Sequence, residues 1–223
     1  MDASDQFLPA LTRLHGSSWH EQVAGARALA ELAERWYFAG ANARAQSCVD
    51  ALCAYLRVRR YTRSDATESA VREQITALLA GFLRSGLGGR HGALLVNLAA
   101  VSISGSHVFD GVSFGPGLRL VLDRVQLEEG AQLVFAGCRF RGCIVRLHEV
   151  YLGKDAVLSV AEPTVDAGTW LLASTAGRHP SAVLDVRGLA GPEGNAGRAA
   201  RRGPLSLAAE SRCREHAAEG ARA

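Results

Sequence analysis

Residues 133–152 read LVFAGCRFRGCIVRLHEVYL, and this stretch decides the fold. Phe135, Phe140, Val145 and Val150 follow one another at intervals of five, and Leu133, Cys138, Cys143 and His148 each stand two places before one of them. Neither regular element has this rhythm, because a strand alone gives intervals of two and a helix intervals of three and four. A chain that alternates two and three is extended but turns slightly after every second inward residue. The spacing continues on both sides of the quoted stretch. Towards the N-terminus it occurs at Val96, Leu98, Val101 and Ile103, at His107, Phe109, Val112 and Phe114, and at Leu120, Leu122, Val125 and Leu127. Leu133, Phe135, Cys138 and Phe140 make the fourth copy and Val145, Leu147, Val150 and Leu152 the fifth. Leu158, Val160, Pro163 and Val165 make a weakened sixth, and Gly105, Gly115, Gly130, Gly142 and Gly153 stand in or beside the gaps. Six copies predict six rungs of stacked coils that share one core. Ser102, Asp123, Arg139 and Glu149 fall between the apolar pairs, so the other side of each strand faces water.

The first ninety residues carry the helical period instead. Ser18-Trp19-His20-Glu21 fits a capping box, in which the serine accepts from a first-turn amide and the glutamate reaches back. Ala26, Leu29, Leu32, Ala33 and Trp36 then recur at helical spacing up to Gly40. Ala45, Cys48, Val49, Leu52, Cys53 and Leu56 form a second stripe, and Val71, Ile75, Leu78, Leu79 and Phe82 a third, from about Asp65 to Gly86. Short connections predict a bundle of three or four helices, or a HEAT-like pair with a helix before it. The glycines of Ser85 to Gly92 mark a boundary and do not match the GxGxxG spacing that cradles phosphate. The expected organisation is a helical cap over 1–86, a glycine-rich linker over 87–95, a β-helix-like domain over 96–187 and a flexible tail over 188–223.

The five-residue rhythm resembles that of degenerate pentapeptide-repeat proteins, in which a large apolar residue and a small one two places earlier both point into a four-sided β-helix. The helical segments around Arg27–Ala33 and Gln46–Arg57 are similar to those that precede the repeats in actinobacterial members of that family. The resemblance covers about residues 17 to 165. It implies an α+β protein: a small helical bundle followed by a short right-handed parallel β-helix. The phase slips at each glycine-bearing gap, which leaves another parallel β-helix or a rolled meander open. Some members of the family mimic DNA and bind topoisomerases through a long acidic rod. Here the ladder from 96 to 165 carries six basic and seven acidic residues, so its charge is balanced and the mimic is only an alternative.

Bulk properties fit an ordinary soluble protein. No apolar run approaches the roughly 18–20 residues that a membrane span needs, and the opening MDASDQFLPALTRLHG has neither a basic leader nor an apolar stretch, so a cytoplasmic location is expected. Five cysteines, at 48, 53, 138, 143 and 213, include no CxxC pair, and reduced thiols are expected.

Candidate chemistry is sparse. Cys138, Cys143 and His148 lie on successive pentads and could line one coil as metal ligands, but adjacent sides of a coil point inward from different directions, and buried cysteine as a small hydrophobe is preferred. Arg57, Arg59, Arg60 and Arg63, interleaved with Tyr55 and Tyr61, have the composition of a nucleic-acid contact; cations ending a helix are the ordinary alternative. The arginines of the tail read as solvating charge, and Trp19, Trp36 and Trp170 as packing residues. No HExxH occurs and the seven histidines are scattered, with His107 and His148 the two at predicted inward places. The reading is therefore a non-enzymatic scaffold or interaction module, with no metal or other cofactor. Its expected partner is a protein. Nucleic acid is the less favoured partner, and a β-helix enzyme less favoured still.

Overall fold

The structure is a computed structural model and describes residues 4–58, 66–84, 94–166 and 168–185. Arg59, Arg60 and Arg63, the glycine-rich stretch 85–93 and the tail from 186 lie outside the described residues.

Four helices come first: α1 (Ser4–Leu14), α2 (Trp19–Phe38), α3 (Asn42–Arg57) and α4 (Ala66–Arg84). The capping box forms, with Glu21 N donating to Ser18 Oγ and Ser18 N to Glu21 Oε2, both at 3.3 Å. All three predicted stripes face the core, Leu78 alone being half-buried. Helix α2 packs against each of the other three. Helix α1 has Pro9 in its middle, which removes a backbone donor and hides the helix from a propensity reading. It crosses α2 at Gly25, where an added Cβ would lie 2.2 Å from Leu14 N, so only glycine permits the approach. Gln22 and Tyr55 tie the bundle internally: Tyr55 Oη lies 3.2 Å from Gln22 Oε1 and 3.2 Å from Glu68 Oε2, joining α2, α3 and α4.

The described residues from Leu94 to Asp185 form a parallel β-solenoid of about four turns. The first coil holds β1 (Leu94–Asn97), β2 (Ser102–Ile103), β3 (Ser106–Asp110) and β4 (Ser113–Phe114), and the second β5 (Leu118–Val121), β6 (Gln126–Leu127), β7 (Gln132–Ala136) and β8 (Arg139–Phe140). In the third, β9 (Ile144–Leu152) runs continuously through two sides and is followed by β10 (Val157–Ala161) and β11 (Thr164–Val165); the fourth holds β12 (Trp170–Arg178) and β13 (Val183–Asp185). Strand β1 starts inside the stretch 87–95 that reads as a linker. Every pairing is parallel and joins a strand to its counterpart one coil on, as Leu120 with Val145, Phe109 with Phe135 and Leu158 with Leu184. These partners are 25, 26 and 26 residues apart, where four pentads would give a shorter coil.

The register corrects the rung count. The copy at Val96 stacks on the copy at Leu120 and then on that at Val145, whereas the copy at His107 stacks on those at Leu133 and Leu158. Each copy is half a coil, so six copies make three circuits. The run of fives at Phe135, Phe140, Val145 and Val150 walks once around the four sides, one inward residue per side. Every ladder residue is buried except Pro163 and Val165 of the last copy. The interior is solid, with Phe109 stacked on Phe135 at 5.0 Å and Phe114 on Phe140 at 4.9 Å between ring centroids.

The corners explain why the period is irregular. Among the described residues of the solenoid, every positive φ falls in one of four columns: Ala100, Arg124, Glu149; Gly105, Gly130, Asp155; Gly111, Gly137, Glu162; and Gly117, Gly142, Gly168. A left-handed residue turns the chain sharply, and one at each corner closes the coil. Its amide donates to the next coil, as Ala100 N to Asp123 O and Arg124 N to His148 O, both at 2.7 Å. Gly153 has a different duty. A Cβ there would come within 2.8 Å of Leu127 O, so it allows neighbouring coils to approach at that corner.

Candidate functional site

The sequence candidates do not come together. Cys138 and Cys143 are fully buried, but His148 is exposed, which corrects its predicted inward place. The reason is the corner: His148 precedes the left-handed Glu149, as Asp123 precedes Arg124 one coil earlier, so the inward series passes from Leu147 to Val150. Burial pushes the Cys138 thiol up to about 11 and the Cys48 and Cys53 thiols up to about 12, and raises that of Cys143. Such thiols are poor nucleophiles and poor ligands at neutral pH. Among the described residues no group of three or more His, Cys, Asp or Glu could hold a metal ion.

Arg57 is exposed at the C-terminal turn of α3, and α4 supplies the cap of that helix: Arg72 Nη2 donates to Leu56 O at 2.6 Å. One motif was missed by the sequence reading. Gly111-Val112-Ser113-Phe114-Gly115 has the GxSxG spacing of a nucleophile elbow. The structure sets it on β4 and the corner before it, with no helix after it, and Ser113 faces outward in register with Arg139 and Thr164. Among the described residues no histidine bonds its hydroxyl, the partner that activates the serine of such an elbow.

What the fold does assemble is surface. The sheet that carries β5, β9 and β12 turns Arg119, Ile144 and Trp170 outward in one register column. Trp170 is 48% exposed and Tyr151, further along β9, is 46% exposed, which corrects the packing role expected of Trp170. Trp19 is likewise half-exposed, its ring tilted against that of His20 with 3.8 Å between centroids, whereas Trp36 is buried as expected. Arg146 is fixed on the same sheet by a two-pronged bond to Asp123, while Arg119 and Arg124 project into solvent. On the helical half, α2 and α4 enclose an open groove of about 390 Å³ with Ala30, Ala77, Leu78 and Gly81 in its lining and Arg27, Glu31 and Glu34 around them.

The two halves are joined by side chains that act as backbone. Gln46 of α3 donates to Leu95 O and accepts from Leu95 N, both at 2.8 Å, as a neighbouring strand would. Arg84 of α4 donates to Val108 O at 2.7 Å and lies over the Phe109 ring at 5.4 Å. These contacts, with one continuous apolar core, close the first coil. No described helix is long and apolar enough to cross a membrane.

Together the described elements define a helix-capped parallel β-solenoid. No protein-family model, no curated protein and no solved structure matches the chain.

Proposed function

We propose that this protein is a non-enzymatic interaction scaffold whose partner is another protein. The observation that carries the reading is exposed aromatic and guanidinium surface on the coils: Trp170 stands half-exposed in the outward column of Arg119 and Ile144, and Tyr151 stands half-exposed past the corner at Glu149, on the next side of the coil. Tryptophan, tyrosine and arginine are the side chains that dominate protein interfaces, and a rigid sheet presents them without an ordering cost. Apolar side chains, among them the stacked Phe109 and Phe135, pack the inside of the coils, so the reading turns to the outer surface. The mixed charge of the coils supports neither an acidic nucleic-acid mimic nor a basic track.

The test is affinity purification from the native host's lysate, divided in two, with nuclease added to one half before washing. A stoichiometric protein that survives nuclease and is lost with a Tyr151→Ala, Trp170→Ala double variant of unchanged thermal stability is the expected result. Loss of all retained material after nuclease overturns the reading and moves attention to Arg57, Arg59, Arg60 and Arg63 as a nucleic-acid surface.

A further inference from the structure

One inward column has an odd member. On the side built from β3, β7, β10 and β13 the position is His107 in the first coil and Leu133, Leu158 and Leu184 in the next three. The imidazole is 5% exposed, and its Nε2 lies 2.9 Å from Ser104 O. It stands in the coil that receives α4, and that contact supplies the charges facing it, Glu73 and Arg84. Strand β7, packed on its other side, brings no charged residue. Arg84 is the clamp that holds α4 to Val108 O on the adjoining residue. The Glu73 carboxylate lies against the first coil's corner, where a Cβ at Gly105 would meet Oε1 at 3.0 Å.

A leucine here would repeat the column; a histidine makes the junction titratable. Protonation would add a second cation beside Arg84 in a place closed to water. Burial accordingly lowers the proton affinity of His107 below the ordinary histidine value, with Arg84 adding to the effect and the Ser104 carbonyl and Glu73 opposing it.

We propose that the contact between α4 and the first coil is a proton-sensitive latch, closed while His107 is neutral and released when His107 takes up a proton. In the released state the imidazole is in water, with a pKa near 6.5. The released state binds the proton more tightly, so the sign is fixed: release increases as pH falls below about 6.5, by up to about tenfold per pH unit, until His107 titrates in the closed state as well. Release uncovers the backbone edge of β3, a strand end that can pair with another chain.

The test is hydrogen exchange on the full chain at pH 7.5 and 5.5, corrected for intrinsic rates. The expected result is a loss of protection, at most about tenfold, in 66–84 and 94–114, with 133–160 unchanged, and no such loss in His107→Leu. A loss spread evenly over the coils, no loss, or a loss that persists in His107→Leu overturns the latch. Should His107→Leu fail to fold, titration of the wild-type imidazole by NMR decides: a midpoint below about 6.5 supports the latch and one at or above it removes the driving force.

Discussion

The two ends of the stack solve one physical problem in different ways. A parallel coil exposes a row of unpaired amides and carbonyls at each end, together with one layer of core side chains. At the first coil α3 and α4 supply substitutes: Gln46 pairs with Leu95 on both sides of its peptide, Arg84 takes the Val108 carbonyl, and Phe109 and Phe114 are buried. At the far end, among the described residues, which stop at Asp185, the inward-column residue Val165 is about half exposed. The same inward column therefore begins with Phe114 at 1% exposure and ends with Val165 at 47%. Burial in this fold is a matter of position along the stack as much as of residue type.

The largest expected effect breaks that column at its covered end. Phe114 stacks on Phe140 and touches Phe109 and Phe135, so Phe114→Ala opens a cavity among three rings. The expected cost is about 3–5 kcal/mol, whereas Val165→Ala in the same column costs under about 1 kcal/mol. Urea unfolding with an unchanged m-value reads both, and equal losses would refute the gradient from covered to open end.

Next comes the side chain that stands in for a strand. Gln46→Ala leaves the Leu95 N–H and C=O without partners in a half-buried place, at a cost of about 1–3 kcal/mol. Gln46→Glu keeps an acceptor for Leu95 N but turns a carboxylate towards Leu95 O and the Asp50 side chain, which the amide now bridges. It is expected to destabilise at pH 7 as well, so that only the amide serves. A Gln46→Ala variant with wild-type stability and a protected Leu95 amide would show that the helices close the coil by apolar packing alone.

How far the sequence carried this architecture depends on how local each signal is. The capping box at Ser18 and Glu21 and the apolar stripes of α2, α3 and α4 are short-range, and each was legible. The two-three-two ladder was legible too, but not its stacking, because one coil uses the same pattern twice and neighbouring copies look like neighbouring rungs. Only the corners tell the half-coils apart. Glycine betrays the corner column of Gly117, Gly142 and Gly168, whereas Ala100, Arg124 and Glu149 adopt the same conformation with nothing in their identity to announce it. That concealed corner is what put His148 outside. The surface at Trp170 was misread for a related reason, since an aromatic among apolar neighbours reads as core until the register shows its side chain in the outward series with Arg119. Gln46 was beyond reach, because its role exists only once α3 is docked on β1.

The smallest expected effect sharpens the comparison at the open end. In the first two coils the left-handed corner amides donate to backbone carbonyls, as Arg124 N does to His148 O and Gly130 N to Lys154 O. In the third coil the corresponding amides find hydroxyls of the fourth: Glu149 N donates to Ser174 Oγ and Asp155 N to Ser181 Oγ, both at 3.0 Å. Strand β12 shifts register around Ser174, which removes the carbonyl that the ladder would otherwise offer, and the serine side chain fills the place. Both sites are exposed, so Ser174→Ala and Ser181→Ala should each cost at most about 1 kcal/mol, water replacing the lost acceptor. The sharper reading is local. Amide exchange of Glu149 should quicken in Ser174→Ala and that of Asp155 in Ser181→Ala, while Arg124 and Gly130 keep their rates. If all four amides quicken together, the last coil is held as one cooperative unit and the hydroxyls are incidental to it.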